Sequence, residues 1–109
     1  MATAVIYARY SSDNQRDESI EAQVRECKKL AKRQGITLLE RQYIDRAKSA
    51  TSDRRPEFKQ MIKDVAKGGV DYVIVHKLDR FARDKYDSVF YKKKLKEAGV
   101  QLISVTENP

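Results

Sequence analysis

Val70-Asp71-Tyr72-Val73-Ile74-Val75-His76 is the stretch whose reading decides the fold. It is short, nearly continuous in apolar residues, and follows the breaker pair Gly68-Gly69. A strand apolar on both faces belongs in the middle of a sheet covered on both sides, the habit of parallel sheets. Just upstream, Pro56 suits a first helical position and opens a helix with Phe58, Met61, Ile62 and Val65 on its core face, ended by Gly68-Gly69. Downstream, a helix is expected from about residue 83 or 85 to 98. Tyr91, Leu95 and Ala98 face inward, Gly99 stops the helix, and a last strand covers residues 100–105.

The first third of the chain repeats the pattern. Residues 3–9 read as a buried, β-branched-rich strand. Ser19 suits an N-cap for a helix reaching about residue 34, with Gly35 as its stop. Ile20, Val24, Cys27 and Ala31 then form an apolar stripe along that helix. A second strand covers residues 36–44, although Glu40-Arg41-Gln42 interrupts it. The order βαβαβαβ implies an α/β fold with a mostly parallel central sheet and helices on both faces. Residues 1–109 form one domain of common size. Ligands of such sheets sit beyond the carboxyl ends of the strands. Ser11, Asp45 and Asp79 all lie just past predicted strand ends, so one shared site is geometrically reasonable.

Composition narrows the partners. A net charge of +7 and a pI of about 9.6 favour a polyanion. One cysteine, Cys27, and one histidine, His76, leave no disulfide framework and no Cys/His zinc site. Cys27 belongs in the helix–sheet core. No apolar run approaches membrane-spanning length and the start lacks the long apolar core of a signal peptide, so a cytoplasmic protein with no membrane partner is expected. Residues 45–55 contain no apolar side chain larger than Ala, and their length suits a functional loop.

The chemistry-bearing residues cluster at strand ends. Arg9 and Ser11 close the first strand, and Asp79-Arg80-Phe81-Ala82-Arg83 follows the third. Serine supplies an oxygen nucleophile, and guanidinium groups hold phosphoryl oxygens in bidentate geometry. An arginine at the end of an apolar strand must be paired or reach a cleft, because a buried unpaired charge is costly. On pattern alone, Ser11-Ser12-Asp13-Asn14 reads first as an ordinary loop. No Gly-x-Ser-x-Gly elbow is present, and His76, inside a predicted strand, reads as structural rather than as a general base. Gly68-Gly69 is followed by no Walker Lys-Ser/Thr, which disfavours a nucleotide hydrolase. Asp45 and Asp79 among so many arginines make a poor cation site, so no metal and no cofactor is expected. Residues 77–96 carry eight Lys or Arg against three Asp. Within that run Lys92-Lys93-Lys94 reads as a solvated helix face, and the arginines near the strand end are the better phosphate ligands.

With these residues in place, the chain resembles the serine recombinases, in particular the N-terminal catalytic domain of the large serine integrase and transposase type. Tyr7-Ala8-Arg9-Tyr10-Ser11 is similar to the nucleophile motif Tyr-Ala-Arg-x-Ser. Ser19-Ile20-Glu21-Ala22-Gln23 resembles the segment that places an active-site glutamine. Asp45, a polar loop and Arg55-Pro56-Glu57-Phe58 resemble the second segment, and Lys77-Leu78-Asp79-Arg80-Phe81-Ala82-Arg83 the Leu-Asp-Arg-x-x-Arg signature. The resemblance implies a resolvase-like catalytic domain that recombines double-stranded DNA. Ser11 would attack a phosphodiester to leave a 5′-phosphoserine and a 3′-hydroxyl, and Arg9, Arg80 and Arg83 would bind the scissile phosphate. It adds Arg55 to that set, gives Gln23 a hydrogen bond within the site, and has Asp45 and Asp79 orient the arginines.

Where the family often has a serine three residues after the aspartate, this chain has Lys48, with Ser49, Thr51 and Ser52 as nearby substitutes. Family members continue into a long oligomerisation helix and DNA-binding domains. The resemblance therefore implies a fragment truncated before that helix, weak or inactive alone, from a protein working as dimers and tetramers. Two readings compete with it: a non-catalytic flavodoxin-like or receiver-like module that binds nucleic acid or protein, and a metal-dependent nuclease.

Overall fold

The structure is a computed structural model that describes residues 2–9, 19–45, 55–81 and 85–106, with the side chains of 79, 80 and 85–88 left aside. Four strands, β1 (Thr3–Arg9), β2 (Thr37–Asp45), β3 (Tyr72–Val75) and β4 (Gln101–Ser104), form one sheet in the order β2-β1-β3-β4. Every neighbouring pair is parallel. Four helices accompany them: α1 (Ile20–Gln34), α2 (Pro56–Ala66), α3 (Leu78–Phe81) and α4 (Lys85–Glu97).

The strand order dictates the layers. The chain moves outward from β1 to β2, crosses back over β1 to β3, and continues outward to β4. Right-handed crossovers in opposite directions put their helices on opposite faces. Accordingly α1 packs Ile20, Val24, Cys27, Leu30 and Ala31 against Ala4, Ile6, Ala8 and Ile74. On the other face α2, α3 and α4 bring Phe58, Met61, Val65, Phe81 and Leu95 onto Val5, Tyr7, Tyr43, Val73 and Val75. Residues of β1 alternate strictly between the two cores, as the two-residue pleat requires.

The ends of α1 match the sequence reading. Ser19 Oγ accepts the Ala22 amide at 3.1 Å, and Gly35 turns the chain out at φ 70°. The interruption in β2 also has a physical basis. Thr3 and Ala4 pair with Thr37 and Leu38, but Ile6 pairs with Gln42. Leu39, Glu40 and Arg41 therefore bulge opposite Val5 alone. Two extra residues preserve the pleat, so Leu38 and Ile44 still face α1 while Tyr43 and Asp45 face α2.

Four boundaries differ from expectation, the simplest being β4, trimmed at both ends to Gln101–Ser104. β2 is shifted one residue toward the carboxyl side, making Asp45 its last residue instead of the first of the loop. β3 is confined to Tyr72–Val75, so His76 lies just past the strand. The segment after β3 closes into the short α3, because Phe81 turns inward and is fully buried in the α2-side core. Among the described residues, no helix is long and apolar enough to cross a membrane.

Candidate active site

The carboxyl edge of the sheet assembles the residues singled out in the sequence. Arg9 and Asp45 are register partners at the ends of β1 and β2. The chain reverses direction between β1 and β3, and a crevice opens at such a switch point in open α/β sheets. α3, which begins at Leu78, packs against β1 there. Alternation puts Arg9 on the same face as Tyr7, toward α2. Ser11 and Arg83 lie outside the described residues, as do Lys48, Ser49, Thr51 and Ser52. Asp79 and Arg80 are described only as backbone of α3.

Asp45 is the hub of the edge. It is buried, and Oδ2 accepts the Tyr7 hydroxyl at 2.8 Å and the Phe58 amide at 3.1 Å. Oδ1 accepts the Glu57 amide at 3.0 Å. The reason lies at the start of α2. Pro56 has no N–H, and the Arg55 side chain makes no cap bond, so the first helical amides look elsewhere for an acceptor. A carboxylate arriving from β2 supplies it and also meets the positive end of the helix dipole. The described partners of Asp45 are thus a tyrosine and the α2 backbone, and not an arginine.

Tyr7, part of the strand-end motif, has a role that sequence reasoning missed. Burial pushes its hydroxyl well above the ordinary tyrosine value, the Asp45 charge and hydrogen bond raise it further, and Arg55 and Arg9 pull the other way. Tyr7 therefore stays a proton donor to Asp45. Its two-residue spacing from Arg9 was the available signal.

Arg55 is buried and left-handed, with φ 35°. The following Pro56 disfavours right-handed helical backbone at this position, and a left-handed non-glycine costs about 1–2 kcal/mol. What holds it there is specific. Its Nη1 donates to the Phe81 carbonyl at 2.8 Å, and its guanidinium lies 4.1 Å from the Phe58 ring centre. Phe58 is itself an aromatic hub, edge-on to Tyr7, Phe81 and Tyr91 at 4.8–5.2 Å. Arg55 consequently ties the start of α2 to the end of α3.

Gln23 approaches from the other face. It is fully buried, and its Nε2 donates to the Arg9 carbonyl at 3.0 Å, fixing the strand end. His76 is buried, its carbonyl accepts the Thr106 amide, and its Nδ1 has no hydrogen-bond partner among the described residues. Among the described residues, no hydrogen bond links it to the Arg9–Asp45 pair.

Comparison with known proteins identifies the family and the fold. The family profile described as "Resolvase, N terminal domain" fits residues 4–109. The chain is similar to the crystal structure of a resolvase family site-specific recombinase from Streptococcus pneumoniae, with 32% identity and a TM-score of 0.85, covering 100% of this chain and 75% of that one. It is also similar to the N-terminal catalytic domain of TP901-1 integrase, with 28% identity and a TM-score of 0.83, covering 97% of this chain and 78% of that one. The C-terminal catalytic domain of ISC1926 TnpA, an IS607-like serine recombinase, shares the fold at 23% identity and a TM-score of 0.76, covering 94% of this chain and 69% of that one. No curated protein matches the chain significantly.

Proposed function

This chain belongs to the resolvase N-terminal domain family, and from that premise we propose how its carboxyl edge cleaves DNA. The domain is a site-specific recombinase enzyme of the serine recombinase type. That sets aside the reading as a non-catalytic binding module. In the proposed reaction Ser11 Oγ attacks a DNA phosphorus, the bond from phosphorus to the 3′ oxygen breaks, and a 5′-phosphoserine and a 3′-hydroxyl result. Attack of a 3′-hydroxyl on that ester restores the backbone and frees the serine. One phosphate ester replaces another, so rejoining needs no external energy source.

Arg9, Arg80 and Arg83 are the catalytic arginines of this proposal, holding the scissile phosphate and stabilising charge on the five-coordinate transition state. A preorganised donor of this kind is typically worth about 3 kcal/mol. Gln23, Asp45, Asp79 and Arg55 are positioning residues. Gln23 sets the Arg9 backbone, Asp45 sets α2, and Arg55 holds the segment that carries Asp79 and Arg80. The observation that supports the reading is the adjacency of β1 and β3, which sets Arg9, at the end of β1, beside α3 (Leu78–Phe81), the element that follows β3.

The partner is double-stranded DNA, in keeping with the net charge of +7. Residues 1–109 act as the catalytic domain of a longer cytoplasmic protein that assembles as dimers and tetramers. The test uses nicked duplex substrate and the full-length protein. Ser11→Ala should abolish the covalent protein–DNA adduct while circular dichroism stays unchanged. Undiminished adduct in that variant would overturn the assignment.

A further inference from the structure

A concave surface lies on the opposite face from Tyr7, Asp45 and Arg55. It is a groove of about 530 Å³ between the outer side of α1 and the edge strand β2. Ile20, Val24, Gln42 and Ile44 are among its lining residues, and Ile44, half-buried, gives the apolar floor more exposed surface than Val24 and Ile20, which are buried. Arg25, Lys28, Lys29 and Lys32 line the α1 side, spaced i, i+3, i+4 and i+7, so they form one stripe along the helix. All four are exposed. Among the described residues, Glu21 is the one carboxylate lining the groove. Lys29 pairs with Glu26 at 3.4 Å, whereas Arg25, Lys28 and Lys32 form no ion pair among the described residues. Nothing in the proposed cleavage reaction uses these groups.

We infer that this groove docks an acidic amphipathic segment of a partner protein, with aliphatic side chains on Val24 and Ile44 and carboxylates on the α1 stripe. Three observations select that occupant. The volume falls in the range of sites that bury side chains or small ligands, about 300–1,000 Å³. The cations stand on one side only, and their methylene stems extend the apolar wall while the charged heads reach outward. This matches a ligand that is apolar on one face and anionic at its margin, the helix-in-groove mode of recognition. Duplex DNA would meet the charges but leave the apolar floor without a matching surface. A second copy of this chain, at +7, brings the wrong sign.

The chain itself tests this, labelled with ¹⁵N and titrated with three probes. The first is a synthetic helical peptide with leucines on one face and glutamates at its margin. The second is a scrambled peptide of identical composition, and the third a short DNA duplex. Amide shifts from the amphipathic peptide should cluster on residues 20–32 and 42–44. Scrambling should weaken binding by about tenfold or more, as should the charge reversal Lys28→Glu/Lys32→Glu, since like charges facing each other across an interface oppose binding. Both lysines are exposed, so the reversed variant should keep the parent spectrum elsewhere. Equal binding of the scrambled peptide, shifts elsewhere, or displacement of the peptide by duplex at these residues would each overturn the inference. Recombination by Ser11 stands or falls separately, because none of these measurements involves strand cleavage.

Discussion

The two faces of the sheet are built from different materials. On the α1 side, Ala4, Ile6, Ala8, Ile20, Cys27, Leu30 and Ile74 make an aliphatic core with no aromatic ring among its buried members. On the α2 side, Tyr7, Tyr43, Phe58 and Phe81 make an aromatic core, and Asp45 and Arg55 are buried at its upper end. Aliphatic packing is non-directional and stabilises by area alone. Edge-on rings and a carboxylate with three donors hold their neighbours in one geometry. The α1 face holds the domain together and, apart from the Gln23 bond to Arg9, leaves the aiming of the carboxyl edge to the α2 face.

That contrast can be broken by paired truncations. Phe58→Ala should cost about 3–5 kcal/mol and Leu30→Ala about 2–5 kcal/mol, read from denaturant midpoints. If the faces differ as described, Phe58→Ala also lowers covalent adduct per folded molecule in the full-length protein, and Leu30→Ala does not. Equal loss of adduct in both would erase the distinction.

Next in size, Asp45→Asn replaces a carboxylate accepting three bonds by an amide whose NH₂ faces N–H and O–H donors. A cost of about 3 kcal/mol is expected, since bonds to charged groups are worth about 1.5–3 kcal/mol. Faster exchange of the Glu57 and Phe58 amides would show that the start of α2 is what loosens. Unchanged protection there would remove Asp45 from its capping role.

On the α1 side the corresponding device is local. Ser19→Ala should cost only about 1 kcal/mol, the usual value of an N-cap, and leave the α2 amides untouched.

The smallest effect is a pH dependence. Burial raises the Tyr43 hydroxyl to about 12, and its 2.6 Å bond to Asp64 adds to the shift. Asp64 is lowered by the same bond and by Gln60. The tyrosine contribution is therefore fully present below the ordinary tyrosine value of about 10 and is lost as pH rises toward 12. The carboxylate contribution is present above the ordinary aspartate range and fades as pH falls through the lowered value. Tyr43→Phe should flatten the alkaline limb of a stability–pH profile. A limb of unchanged slope would show that other groups carry it.

Much of this was legible beforehand because local signals are written in local chemistry. Ser19 and Gly35 bracket α1 through backbone amides and a positive φ, both properties of single residues. Arg9, Gln23, Asp45 and Arg55 could be picked out by their place beside apolar runs and by resemblance. Their duties were not legible. Asp45 finds its donors at Glu57 and Phe58 because Pro56 and Arg55 fail to supply a cap, and that pairing crosses a loop. Resemblance gave Arg55 to the phosphate set, and only the fold shows that its Nη1 donates to the Phe81 carbonyl. α3 escaped notice because four residues carry no periodicity.

The sequence by itself determined the alternation of strands and helices, the parallel sheet and the basic character, since each follows from spacing, propensity and charge along the chain. Only the tertiary structure decided the order β2-β1-β3-β4 and the two-residue bulge that keeps Asp45 on the Tyr7 face. It likewise decided which face became aromatic. These depend on contacts between residues far apart in the chain, and the crossover direction that sets them leaves no mark on any one segment.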